Sequence, residues 1–335
     1  MPLASCLLPL ASCLLPLASC LLPLASCLLP LASCLLPLAS CLLPLASCLL
    51  PLASCLFSVP CSLKPRNLYL TQLKTAVIMK YWRETCAVAQ RILIELWRRQ
   101  RSLLFWSIFP ITVLFLNGLI MAEQAQLSTA EAFERAAPTT LVGAALFFSC
   151  LGGSVATVVS EREQHMLKRL FLSPLGGISY FLGIFLAHSC IGTGQALVVY
   201  TIAAFLGARF QGSVLLGILI IFLSIIAYVG VGFFLGTQLA RRTEDVNALV
   251  GTFGVPLLIL GGAFLPTALF PEQLLEIAKF NPIYHMNEAL LGVWADGNSL
   301  VQIESHFWFL FGFSSVMVIV GWLSYQGMVR VERRL

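Results

Sequence analysis

The chain has 335 residues, 59% of them apolar and only 10% charged, against about 25% charged in an ordinary soluble domain. Long apolar runs separated by short charged ones are the pattern of a polytopic membrane protein and exclude a soluble globular domain. The net charge of +5 is too small to call for a nucleic-acid partner.

Residues 2–50 are seven exact copies of Pro-Leu-Ala-Ser-Cys-Leu-Leu, and an eighth copy at 51–57 ends in Phe. A solenoid repeat keeps its core positions and varies elsewhere, whereas this one varies nowhere before its last residue. A proline every seventh residue excludes a coiled coil. A seven-nucleotide unit, CCTCTTG, read in continuous triplets encodes the heptapeptide and returns to phase. Residues 1–57 are therefore expected to be tandem-repeat DNA translated from an upstream start, with 58–78 as a linker and Met79 opening the functional chain. The alternatives are a genuine disordered extension or a signal peptide, though no basic segment precedes the apolar run. The repeat holds eight of the twelve cysteines; Cys61, Cys86, Cys150 and Cys190 are scattered, so neither a disulfide framework nor metal-ligand spacing is present.

Residues 80–101 read as one amphipathic helix. Val88, Ile92 and Leu96 form its apolar stripe, with Leu93 and Trp97 beside them, and Glu84, Arg91, Glu95 and Arg98 occupy the other side. Trp82, Trp97 and the arginines suit a helix lying in the membrane interface; packing on a soluble partner is the alternative.

Six spans of about 20 residues each follow, at 103–121, 140–160, 178–206, 213–239, 246–265 and 307–328. With both termini in the cytoplasm, fourteen Lys and Arg after Met79 fall inside and three, Arg135, Arg209 and Lys279, fall outside. That asymmetry sets the orientation. No Asp or Glu lies within these spans, which weakens a proton relay. His188 and Gln195 share one face of the third span and are candidates for a translocation path, or else for hydrogen bonds between helices.

Two segments carry mechanism. The loop after the second span opens Glu161-Arg162-Glu163 and ends Ser173-Pro174. The acids are expected at the N-terminus of a short helix whose apolar face includes Met166, Leu167, Leu170 and Phe171. Pro174 stops that helix. Such a helix can dock on a soluble protein and transmit motion, or it is a solvated loop. After the fifth span, residues 272–280 and 283–293 are each too short to cross a bilayer. Pro271 precedes them and Asn281-Pro282 separates them. A hairpin dipping into the outer leaflet fits, with Glu288 either lining the mouth of a path or solvated.

The Glu-Arg-Glu, Leu-Lys-Arg-Leu and Ser-Pro-Leu series at 161–175 resembles the coupling-helix motif of type-2 ABC transporter permeases, the exporters of drugs, lipids and polysaccharides. His165 replaces the usual glycine. The series Gly262-Ala263-Phe264-Leu265-Pro266, Phe270-Pro271-Glu272 and Ala278-Lys279-Phe280-Asn281-Pro282 is similar to that family's re-entrant hairpin. The resemblance covers 79–335. It implies an all-α membrane protein with six transmembrane helices, an N-terminal interfacial helix and an extracellular re-entrant helical hairpin. It also implies a bacterial inner (plasma) membrane, a second permease as homodimer or heterodimer partner, membrane lipids around the spans, and a separate ABC ATPase subunit that binds ATP and Mg. Glu161, Arg162, Glu163, Leu167, Leu170, Ser173 and Pro174 would then couple to the ATPase. The chain would be a permease rather than an enzyme, with no cofactor and no metal of its own. None of Lys64, Lys74, Lys80, Lys168 and Lys279 follows a glycine, so no Walker A loop exists here. A gradient-driven transporter or channel and a non-transporting scaffold remain the alternatives. Substrate is not legible.

Overall fold

A backbone in hydrocarbon finds no water, so each long apolar run satisfies its own hydrogen bonds by coiling into a helix. The computed structural model describes residues 69–98, 100–164, 166, 175–264, 267 and 270–332. Among them all regular structure is helical. The heptapeptide repeat, residues 58–68 of the expected linker, and Leu167, Leu170, Phe171, Ser173 and Pro174 of the expected short helix lie outside the described residues, as do His165, Leu265 and Pro266.

Helix α1 is Tyr69–Arg98, so residues 69–78, read above as linker, are helical. Helix α2 (Gln100–Gln124) contains the first span. The second, α3, runs through Thr129–Glu163. The remaining spans are α4 (Gly177–Phe205), α5 (Val214–Gln238), α6 (Thr243–Leu260) and most of α9 (Glu304–Glu332). Two short helices, α7 (Glu272–Ala278) and α8 (Pro282–Trp294), form the hairpin between α6 and α9. The chain is a multi-pass membrane protein: among the described residues, six helices are long and apolar enough to cross a bilayer.

The second span begins at Thr129 rather than 140. Ser128 and Glu131 form a capping box, which satisfies orphan donors at that end. Pro138 does not break the helix, although it supplies no N–H. From Leu141 to Gly152 the winding widens to the i→i+5 pattern, then returns to α.

α3 is the most buried span and forms the axis of the bundle. Leu141, Leu146, Phe147 and Cys150 pack on neighbours from α4, α5 and α8 in the main apolar cluster. A smaller cluster joins Val88 and Ile92 of α1 to Phe181 of α4, Phe233 of α5 and Tyr325 of α9. α1 is thus held on one face, as its stripe predicts, while Trp82 and Trp97 are exposed.

Close approach between α3 and α5 depends on Gly232. A Cβ there would sit 2.6 Å from the Leu151 carbonyl oxygen and overlap the Ser154 hydroxyl. Gly232→Ala is expected to lower stability by about 1–3 kcal/mol through overpacking, read as a lower melting temperature in detergent. Gly194→Ala, where no atom lies within 4 Å of the new methyl, is the control and should be neutral or better.

Candidate functional site

Glu161, Arg162 and Glu163 form the last turn of α3, not the start of a following helix. This corrects the expectation for the two acids. Gln164 still donates its N–H to the Ser160 carbonyl, so the helix of the second span simply continues through them. A carboxylate at a helix C-terminus opposes the macrodipole and is stable only with compensation. Consecutive helical residues project about 100° apart, so the three side chains point in three different directions.

Glu161 is 4% exposed. Its Oε1 accepts from Arg91 Nη2 of α1, and its Oε2 accepts from the Tyr180 hydroxyl of α4 at 2.5 Å. Arg162 donates from Nη2 to the Thr237 carbonyl at 2.9 Å and from Nη1 to the Ala240 carbonyl at 3.1 Å. Both are acceptors that the end of α5 leaves without intrahelical donors. Glu163 accepts the Thr243 N–H at 3.0 Å and its hydroxyl proton at 2.7 Å, placing a carboxylate at the N-terminus of α6. One turn of α3 therefore fastens α1, α4, α5 and α6 together.

The stripe of α1 places Arg91 and Glu84 on the side away from it. Both nevertheless reach around the flank of the apolar stripe. Glu84 accepts from the Ser179 hydroxyl at 2.8 Å and from the Gly176 N–H at 3.1 Å, where α4 begins. Those two bonds hold the Glu84 carboxyl below its ordinary pKa. A carboxylate with a depressed folded pKa adds stability above its unfolded pKa, about 4.3, and loses it as pH falls through the folded value. As pH falls from about 5 to about 3, through the unfolded value and below it, the melting temperature should therefore drop by less in Glu84→Gln than in the wild type, with a lower starting value at pH 7.

At the far end of the bundle, the hairpin is tied to the end of α6. Gly262, at φ +77, turns the chain there. Asn281 caps α8 by accepting from the Ile283 N–H, with Pro282 in its first turn, and its side-chain amide donates to the Leu257 carbonyl at 2.6 Å. Asn287 donates to the Gly261 carbonyl at 2.6 Å. Pro271 stands at the N-cap of α7. Glu288 accepts from the Thr267 hydroxyl at 2.6 Å. His285 and His306 share an N···N hydrogen bond of 3.0 Å between α8 and α9, and His285 also meets the Lys279 carbonyl at 2.8 Å.

His188 is fully buried between α3 and α4. Its Nε2 lies 3.1 Å from the Thr157 hydroxyl and its Nδ1 3.3 Å from the Ser149 carbonyl. Both contacts run between α3 and α4. Gln195 is 6% exposed on the same helix, with its carbonyl oxygen unpaired. The structure does not bring these two to the Glu161–Glu163 junction. Arg91, Tyr180, Thr243 and Ser179 belong to the junction region and carry no local signal in the sequence, since their partners lie far along the chain.

Residues 83–294 match the family model of ABC-2 type transporters. Over 153 residues the chain is 26% identical to YbhR of Escherichia coli (strain K12), named a probable multidrug ABC transporter permease. That alignment covers 45% of this chain and 41% of the relative, so the chain spans about two fifths of the length of the relative it matches. Over 247 residues it is 24% identical to ycf38 of Porphyra purpurea, named as a transport permease, covering 72% of this chain and 83% of that one.

Proposed function

Because the chain belongs to the ABC-2 type transporter family, we propose that it is the permease subunit of an ATP-driven exporter in a bacterial inner membrane. It pairs with a second permease, as homodimer or heterodimer. A separate ABC ATPase subunit binds ATP and Mg and couples to the segment 161–174, through Glu161, Arg162, Glu163, Leu167, Leu170, Ser173 and Pro174. Both termini face the cytoplasm, in keeping with the excess of Lys and Arg on that side. The substrate is amphiphilic, of the drug, lipid or polysaccharide class that the family resemblance implies; the name of the E. coli relative, a probable multidrug permease, supports the drug class.

The observation that carries the reading is the junction at Glu161, Arg162 and Glu163. A push on the loop after α3 meets a turn already bonded to α1, α4, α5 and α6. Force delivered there is shared by four helices rather than absorbed by one. ATP binding would close the ATPase pair, displace this junction and tilt the spans as a unit. The hairpin at the other end, fastened to α6 through Asn281 and Asn287, would move with them. His188 and Gln195 are secondary candidates for the path, and Glu288 for its outer mouth.

Co-purification tests the partner. An ABC ATPase should copurify with the full chain from native membranes. Its ATPase rate in liposomes should rise with an amphiphilic substrate such as a cationic dye. Transport by the chain alone under an ion gradient would instead identify a secondary transporter or channel. A stable complex with neither transport nor stimulated ATPase would identify a scaffold.

A further inference from the structure

Between α4 and α5 runs an apolar groove of about 370 Å³, walled by residues 193–200 and 214–225. Both walls belong to membrane spans, and several of their side chains are exposed: Ile218 is 58% exposed and Phe222 50%. The stretch from Val214 to Ile225 rises roughly 16 Å at about 1.5 Å per residue. That is close to half the ~30 Å hydrocarbon core, the depth of one leaflet.

The groove is roofed at the end next to the α4–α5 turn. Phe210 and Trp294 close it there, and Tyr200 flanks them. Trp294 meets Tyr200 edge-on at 5.6 Å and Phe210 at 5.2 Å. The roof is fixed in place. Phe210 rests over Gly217, where a Cβ would come within 2.5 Å of the ring, and the Gln211 N–H donates to the Trp294 carbonyl at 2.9 Å. Tyr200, at 45% exposure, is an aromatic ring with a polar edge, the kind that favours the level where headgroup meets hydrocarbon, whereas Trp294 is buried.

We propose that this groove is a binding site for one acyl chain of a phospholipid in the leaflet beside the α4–α5 turn. Three observations select that occupant over a protein helix. The lining stretch of α5 rises about the depth of one leaflet, the wall side chains belong to spans and several are exposed, and aromatic side chains line the end beside the α4–α5 turn. Each methylene moved out of water contributes about 0.8 kcal/mol, but lipid already lies in hydrocarbon. Selectivity here comes from packing against fixed walls rather than from desolvation. The site is independent of the transport reading, since it requires only that α4 and α5 span a bilayer.

The test places the purified full chain, without ATP or partner, in phosphatidylethanolamine and phosphatidylglycerol vesicles containing a phospholipid with a diazirine on one acyl chain. After irradiation, labelled peptides are mapped by mass spectrometry. Peptides from 193–200 and 214–225 should carry about ten-fold more label than the α9 peptide with Ile319 and Leu323, the factor given by about 1.4 kcal/mol. Ile319 and Leu323 are each 58% exposed, so exposure alone does not produce the difference. Ala196→Trp fills the groove from one wall and Ile218→Trp from the other. Either variant that keeps the wild-type melting temperature should bring groove labelling down to the α9 level. Equal labelling of all exposed span faces would overturn the proposal. So would groove labelling that survives both substitutions, or crosslinks from this face to a second protein chain in place of lipid.

Discussion

Glu161→Ala is expected to destabilise the folded chain by about 3 kcal/mol, the lower end of the cost of breaking a buried ion pair. The glutamate side chain is 5% exposed and that of Arg91 is 30% exposed, so water partly relieves the stranded guanidinium. Tyr180 adds to the loss, because its buried hydroxyl would be left without the Glu161 oxygen that now accepts its proton. Removing one partner costs more than removing both. The double variant Arg91→Met with Glu161→Met should therefore be more stable than the sum of the two single changes, by at least about 1 kcal/mol. Thermal unfolding of the wild type, Arg91→Met, Glu161→Met and the double variant in one detergent gives the cycle. Strict additivity would mean that the pair does not hold α1 on α3.

Arg162→Ala is expected to leave the protein inserted in the membrane but to reduce ATP-driven transport by about ten-fold or more, within the range of ordinary coupling energies. The guanidinium holds two carbonyls at the end of α5 with two charge-assisted hydrogen bonds, each worth about 1.5–3 kcal/mol. Without them the ends of α3 and α5 move separately, and displacement of the α3 turn no longer carries α5. Arg162→Lys supplies a point charge rather than a fork and cannot serve both carbonyls in this geometry. Its transport rate should fall between those of the wild type and the alanine variant. Glu163→Gln should have the mildest effect, because its partner Thr243 is exposed and the amide oxygen still accepts from the N–H.

The spans were legible because their signal is local: uninterrupted apolar runs of bilayer length, each closing its own backbone bonds. The apolar stripe of α1 was legible for the same reason, and Val88 and Ile92 are buried as its spacing requires. The start of the second span was not, because Glu131, Glu134 and Arg135 interrupt the apolar run before residue 140, while the helix itself opens at Thr129 through the Ser128–Glu131 capping box. The acids at 161 and 163 were placed at the wrong end of a helix, which reversed the dipole argument. The compensation that permits them at a C-terminus comes from Arg91, Tyr180 and Thr243, residues brought in by tertiary packing. Asn281 was legible as a breaker. Its bond to the Leu257 carbonyl, which ties the hairpin to α6, has no counterpart in local pattern.

The central claim is that the turn at Glu161–Glu163 transmits ATP-driven motion of a partner to the spans. Its most direct measurement is transport of a fluorescent amphiphile into inside-out proteoliposomes containing this chain and its copurified ATPase, comparing wild type with Arg162→Ala at equal incorporation. The account predicts ATP-dependent uptake by the wild type. It predicts uptake at least about ten-fold lower in the variant, with ATP hydrolysis no longer stimulated by substrate. Wild-type uptake by Arg162→Ala, or uptake that proceeds without ATP, would contradict it.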